Sequence, residues 1–185
     1  MPNLQQRKNI LCGIDEAGRG PLAGDLVIAG VILTTELEGL MDSKKLSEKK
    51  REFLYELIIK NSHYHIVSFS PQQIDKEGLS LCLNQGLETI KNELRADIYL
   101  FDGNQTFGVL GINTLVKADT KVAEVSAASI LAKVTHDRAI IRASKTYPLY
   151  GFEKHKGYGT KAHILAIKEH GYCDIHRRSF KIKTL

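Results

Sequence analysis

Tryptophan is absent from the chain, and its 185 residues include only 2 methionines, 4 prolines and 3 cysteines. Cys12, Cys82 and Cys173 stand far apart with no Cys-x-x-Cys pair. That spacing excludes a disulfide framework and a zinc ribbon, and points to free thiols in a reducing cytoplasm. Long apolar runs are missing too. The longest, Leu26 to Leu33, covers 8 residues, where a membrane helix needs about 20, so no membrane association is expected. The stretch from Met1 to Lys8 is polar and lacks the apolar core of a signal peptide. There is no internal repeat, low-complexity tract or Pro/Ser-rich linker, which favours one domain over residues 1–185. Charge of one sign is scarce as well. With 26 Lys and Arg against 21 Asp and Glu, the net charge is +5, a mild excess compatible with a polyanionic partner.

What is present is a readable order of elements. Alternation of Ile10, Cys12 and Ile14 marks a strand from Asn9 to Glu16, and a Gly-rich turn (Gly18 to Gly24) leads to a second strand over Leu26 to Leu33. Ser47 can cap a helix reaching Lys60, whose apolar face would bury Phe53, Leu54, Leu57 and Ile58. A strand from His63 to Phe69 runs into Ser70, Pro71 and Gln73, a capping box with proline in the first turn. Helix is expected over 79–95, short strands over 98–101 and 113–116, and a long Ala/Ser-rich helix over 122–145. A last helix from Thr160 to His170 should stop at Gly171. This succession predicts an α/β fold, a mixed sheet flanked by helices.

Four carboxylates fall at strand ends in this reading. Asp15 and Glu16 close the first strand, Asp102 closes the fourth, and Asp119 follows the fifth. In an open α/β sheet the crevice beyond the strand ends collects such residues. Four clustered carboxylates cannot all stay ionised without a compensating cation, and oxygen-only donors favour hard ions such as Mg²⁺ or Mn²⁺. Any one of them alone would be an ordinary solvated loop acid. Adjacent strand residues also point to opposite faces, so Asp15 and Glu16 converge only where the strand ends or bends.

Two further features bear on ligands. Gly18, Gly20 and Ala23 fit G-x-G-x-x-A, but a dinucleotide fingerprint must open a helix, and here Pro21 precedes a strand. The glycines therefore mark a tight turn or a close backbone approach to a ligand. Lysines crowd Asp42 to Arg51, and Tyr150 to Thr160 interleaves Lys154, His155 and Lys156 with Tyr150, Phe152 and Tyr158. Cations and rings together suit a nucleic-acid groove, although either segment could equally be a solvated face with packed rings. The 7 histidines show no metal-ligand spacing.

Taken together, GIDEAGRGPLAG (Gly13 to Gly24), DSKKLS from Asp42, FDGN from Phe101, KADTKVAEVSAASILAKVTHD (Lys117 to Asp137), HKGYGT from His155 and HRRSF from His176 resemble, in order, the bacterial ribonuclease HII (type 2 ribonuclease H) family. The resemblance implies a ribonuclease H-like fold, with a core to about residue 145 and a short helical extension over about 146–185. It implies hydrolysis of the RNA strand of RNA–DNA hybrids and nicking 5′ of single ribonucleotides in duplex DNA, leaving 3′-hydroxyl and 5′-phosphate ends. It places two divalent cations, Mg²⁺ or Mn²⁺, on Asp15, Glu16, Asp102 and Asp119. A substrate-binding turn that reads the ribose 2′-hydroxyl falls on Gly18, Arg19 and Gly20, phosphate contacts on Ser43 and Lys44, and a junction-sensing ring on Tyr158. His136 departs from the family, where Arg is usual. No clamp-binding motif follows Phe180, and a monomer is expected. The alternatives are a hybrid-binding protein that does not cut, or another two-metal nuclease of the same fold.

Overall fold

A computed structural model describes residues 9–40 and 46–182. Five strands form one sheet: β1 (Leu11–Ala17), β2 (Leu26–Leu33), β3 (Ser62–Phe69), β4 (Ile98–Asp102) and β5 (Ile112–Leu115). Their order is β3-β2-β1-β4-β5. β1 pairs antiparallel with β2 and parallel with β4, which in turn pairs parallel with β5. The helices are α1 (Glu48–Lys60), α2 (Pro71–Glu77), α3 (Leu79–Glu93), α4 (Ala123–Thr146), α5 (Phe152–His155) and α6 (Lys161–His170).

Alternation along β2 decides which helix covers which face. Leu26 and Ile28 join Cys12, Ile14 and Phe101 against Leu83, Leu87 and Ile90 of α3. Val27, Ala29 and Val31 point the other way, against Leu54 and Ile58 of α1 and the alanines of α4. Small residues let α4 lie close on the sheet. The tightest point is Gly13, where a Cβ would sit 2.3 Å from both the Glu124 carbonyl carbon and the Val125 nitrogen. A third cluster packs the C-terminal segment on the far half of α4, through Ala23, Ile140, Tyr150, Phe152 and Ile167.

The expected caps are present. Ser47 accepts from the Lys50 amide, the Ser70–Gln73 box closes in both directions, and Thr160 accepts from the His163 amide. One burial expectation is overturned. Phe53 is 56% exposed, with Lys50 Nζ 5.1 Å from its ring centroid, because α1 turns only the Leu54 and Ile58 side fully inward. No helix among the described residues is long and apolar enough to cross a membrane.

Candidate active site

The register explains why two acids meet. β1 and β4 run parallel with Ile14 beside Phe101, so the next residues, Asp15 and Asp102, come side by side toward the same end of the sheet. Neither has left it: β1 runs on to Ala17, beyond its expected end at Glu16, with Asp15 and Glu16 still paired to Ala29 and Ile28, and Asp102 pairs with Leu115. The third acid arrives from a 3₁₀ turn, Ala118–Thr120, entered through Lys117 in the left-handed region (φ 58°). Asp102 Oδ1 accepts from the Ala118 amide at 3.1 Å, which ties the end of β4 to the turn carrying Asp119. Ligand-type oxygens of Asp15, Asp102 and Asp119 consequently lie within 4.8 Å of one another, in the single such grouping found among the described residues. Asp15 and Asp119 are buried.

Glu16 sits beside this trio rather than inside it. Its Oε1 pairs with Arg19 at 3.2 Å, while its buried Oε2 has no hydrogen-bond partner. Burial raises the Asp15 carboxyl well above the ordinary range, reinforced by the charges of Glu16, Asp102 and Asp119. Burial raises Glu16 too, against the lowering pull of Arg19. Clustered carboxylates, with Asp15 and Glu16 resisting ionisation and Glu16 Oε2 unsatisfied, fit hard divalent cations; Asp15, Asp102 and Asp119 would hold them, with Glu16 alongside.

Asp15 and Glu16 open onto a cavity of about 320 Å³, lined also by the Gly18–Arg19–Gly20 turn, Lys133, Arg51 and Tyr158. Lys133 Nζ donates to Asp137 at 2.9 Å and lies 5.9 Å from the centroid of the Tyr158 ring. Gly18 has φ 90°, and a Cβ there would meet the Asp25 carbonyl oxygen at 2.3 Å, so the turn requires glycine at that point. His136 packs beneath it, 1% exposed, with Nδ1 3.0 Å from Asp137 Oδ1.

The structure thus groups Asp15, Asp102 and Asp119, with Glu16, Gly18, Arg19, Gly20 and Tyr158 around the adjoining cavity. Ser43 and Lys44 lie outside the described residues. Of the two readings open for Tyr150 to Thr160, packing holds for two of its three rings. Phe152 is wholly buried and Tyr150 nearly so, stacked at 5.4 Å, because the turn Pro148–Tyr150 and α5 fold them into the third core cluster. Tyr158 alone of the three rings faces the cavity. Lys133 and Ser129, both cavity residues, escaped the sequence reading. Their four-residue spacing on one predicted helix face, pointing the same way, was the available signal.

Behind Tyr158 lies a histidine pair that spacing did not reveal. The Cys173 amide donates to His176 Nδ1 at 2.9 Å, so His176 carries its proton on Nε2 and donates to His163 Nε2 at 3.0 Å. His163 Nδ1 in turn donates to the Tyr158 carbonyl at 2.9 Å. Burial pushes both imidazoles down to about 4. The unfolded chain therefore binds protons that the folded chain refuses. The stabilisation is complete above the unfolded value of 6.5 and is lost as pH falls to about 4. Thermal melts across that window should show Tm falling steadily. The double variant H163Q/H176Q should start lower and show a flatter slope over the same range; an unchanged slope would remove the pair as its source.

A mixed sheet in this order, with carboxylates on its neighbouring parallel strands β1 and β4 and a third joining from the turn before α4, defines a ribonuclease H-type fold and site. Residues 12–183 match the family model Ribonuclease HII, and the chain belongs to that family; it is an endoribonuclease, a hydrolase of the ribonuclease H class. It is 62% identical to the ribonuclease HII of Sulfurovum sp. (strain NBC37-1) over 182 residues, 98% of this chain and 97% of that one. Among solved structures it is similar to the ribonuclease HII of Archaeoglobus fulgidus in its complex with PCNA (TM-score 0.82, 29% identity, 95% and 97% of the two chains). It is also similar to ribonuclease H2 of Pyrococcus horikoshii OT3 (TM-score 0.77, 27% identity, 92% and 93%).

Proposed function

We propose that this chain hydrolyses the RNA strand of RNA–DNA hybrids and also nicks 5′ of a single ribonucleotide in duplex DNA, leaving 3′-hydroxyl and 5′-phosphate ends. The observation that carries the reading is the convergence of Asp15, Asp102 and Asp119 within 4.8 Å, beside a cavity lined by Arg19, Arg51 and Lys133. Two divalent cations, Mg²⁺ or Mn²⁺, when bound there would acidify a water and neutralise charge developing on the leaving 3′ oxygen. The protein's own part is positional. Asp15, Asp102 and Asp119, with Glu16, hold the cation site in place from separate elements. Lys133 and Arg51 give the scissile phosphate a cationic wall, where a phosphodiester needs charge neutralised. Backbone groups of Gly18, Arg19 and Gly20 can approach a ribose 2′-hydroxyl closely, and Tyr158 offers the following sugar a flat face. In this reading residues 1–185 act as one domain, with the extension from about residue 146 delivering Tyr158 to the cavity.

Among the described lining residues there is no cysteine or histidine, which agrees with attack by water. A duplex carrying one internal ribonucleotide, incubated with the protein and Mg²⁺, tests the proposal. One nick on the 5′ side of the ribose is expected. Cleavage of a uniform hybrid without that nick would remove the embedded-ribonucleotide activity, and binding of both substrates without any cut would remove the nuclease reading.

A further inference from the structure

Arg177 is the largest fully buried side chain among the described residues, at 1% exposure, and it carries a charge into a place where an apolar residue could fill the space. Burying a guanidinium is costly unless its donors are satisfied. Among the described residues no carboxylate forms an ion pair with it. Its donors go to main-chain carbonyls of the Gly-rich turn instead. Nε and Nη2 donate to the Gly24 carbonyl at 2.9 and 2.7 Å, and Nη1 donates to the Arg19 carbonyl at 3.3 Å. Its own amide donates to the Leu22 carbonyl at 2.8 Å, and the Gly24 amide donates back to Ile175 at 2.8 Å. The Phe180 ring covers the guanidinium from 5.1 Å. Asp25 and Asp75 support the charge from farther off, and burial still draws the group down only to about 10, so it is protonated at neutral pH.

A turn containing Gly18, Gly20 and Gly24 has much backbone freedom to lose on binding. A guanidinium presents a rigid fork of donors, so a single side chain can fix two carbonyls five residues apart in sequence, which a lysine's point charge cannot. We infer that Arg177 is a positioning residue for ribose selection: by holding the Arg19 and Gly24 carbonyls from behind, it turns the opposite, amide-bearing edge of the Gly18–Gly20 backbone toward the cavity in advance of substrate. The inference rests on the reading of that turn as the 2′-hydroxyl contact.

The test compares wild type with Arg177→Lys on duplexes carrying, at one position, either ribose or 2′-fluoro-ribose, which keeps the sugar's size but removes the hydroxyl donor. The variant keeps the charge and loses the fork. Its preference for ribose should fall about two- to tenfold, the worth of one neutral hydrogen bond, with the loss appearing in KM for the ribose substrate. A merely structural role would lower the active fraction, depressing kcat on both substrates and leaving KM and the ratio alone; that result overturns the proposal. If wild type itself shows no preference for ribose, the reading of the turn fails and this inference with it. If wild type discriminates and the variant does so equally, the inference alone fails. A measurement on wild type covers a variant that does not fold. In EDTA, the Arg177 Nε–H resonance should shift when the one-ribonucleotide duplex binds and not when the all-DNA duplex binds. Equal shifts, or none, overturn the inference.

Discussion

Asp102→Asn should reduce cleavage by on the order of a thousandfold, the loss expected when one preorganised electrostatic group is removed from a reacting centre. The fold should survive, because an asparagine Oδ1 can still accept from the Ala118 amide as Asp102 does now. Stability without metal should hold or improve. Where two carboxylates within 4.8 Å are both ionised they repel by at least about 3 kcal/mol at an effective dielectric near 20, and the substitution removes one such partner from a group of three. Thermal melts in EDTA should therefore place the variant at or above wild type. On adding Mg²⁺ the order should reverse. A cation at a hundredfold excess over its Kd stabilises the native state by about 2.7 kcal/mol, and the variant should bind it more weakly. A variant that cuts at the wild-type rate in Mg²⁺ would remove Asp102 from the reaction.

The second large effect is expected at Tyr158, where the consequence is selective rather than total. The ring is 44% exposed and stands between Lys133 and the turn, with the Cβ position of Gly20 3.8 Å from its Cε1. Tyr158→Phe keeps the face and loses one neutral hydrogen bond of about 0.5–1.5 kcal/mol, so cleavage should fall modestly. Tyr158→Ala loses the face as well, and nicking at a single ribonucleotide should suffer far more than cleavage of a uniform hybrid, where neighbouring ribose hydroxyls remain to be read. The measurement is kcat/KM on both substrates for all three proteins. Equal losses on the two substrates in the Ala variant would mean that Tyr158 only fills the loop.

Local chemistry made much of this molecule legible. β2 reads directly from its apolar run, and α1, α2 and α6 from Ser47, the Ser70–Gln73 box and Thr160, because a cap is a contact between near neighbours in the chain. The acids were legible because parallel strands deliver their ends to one place, and periodicity locates strand ends. What escaped depends on contacts between distant segments. Phe53 sits on the apolar face predicted for α1, yet the neighbouring helices cover only part of that face. Whether Tyr150 and Phe152 line a groove or pack inward is decided only where the C-terminal segment folds over α4. His163 and His176 lie 13 residues apart and meet only after the chain reverses beyond α6. Arg177 belongs to a stretch of charged residues that local pattern assigns to solvent, and nothing short of its carbonyl partners, 153 and 158 residues away, places it inside.

The contact at Gly13 makes the acid cluster a matter of mechanical tolerance. Only one residue separates Gly13 from Asp15, and the first turn of α4, pressed against Gly13, follows directly on the turn that carries Asp119. The missing side chain is in effect the spacer that sets the gap between two of the three carboxylate-bearing elements. One added methyl would need room where the helix backbone stands 2.3 Å away, and the helix would have to lift off the sheet with Asp119 at its leading edge. An oxygen cage for a small hard cation tolerates errors of only a few tenths of an ångström. The dimension on which the chemistry depends is therefore set by a residue that has no functional group at all.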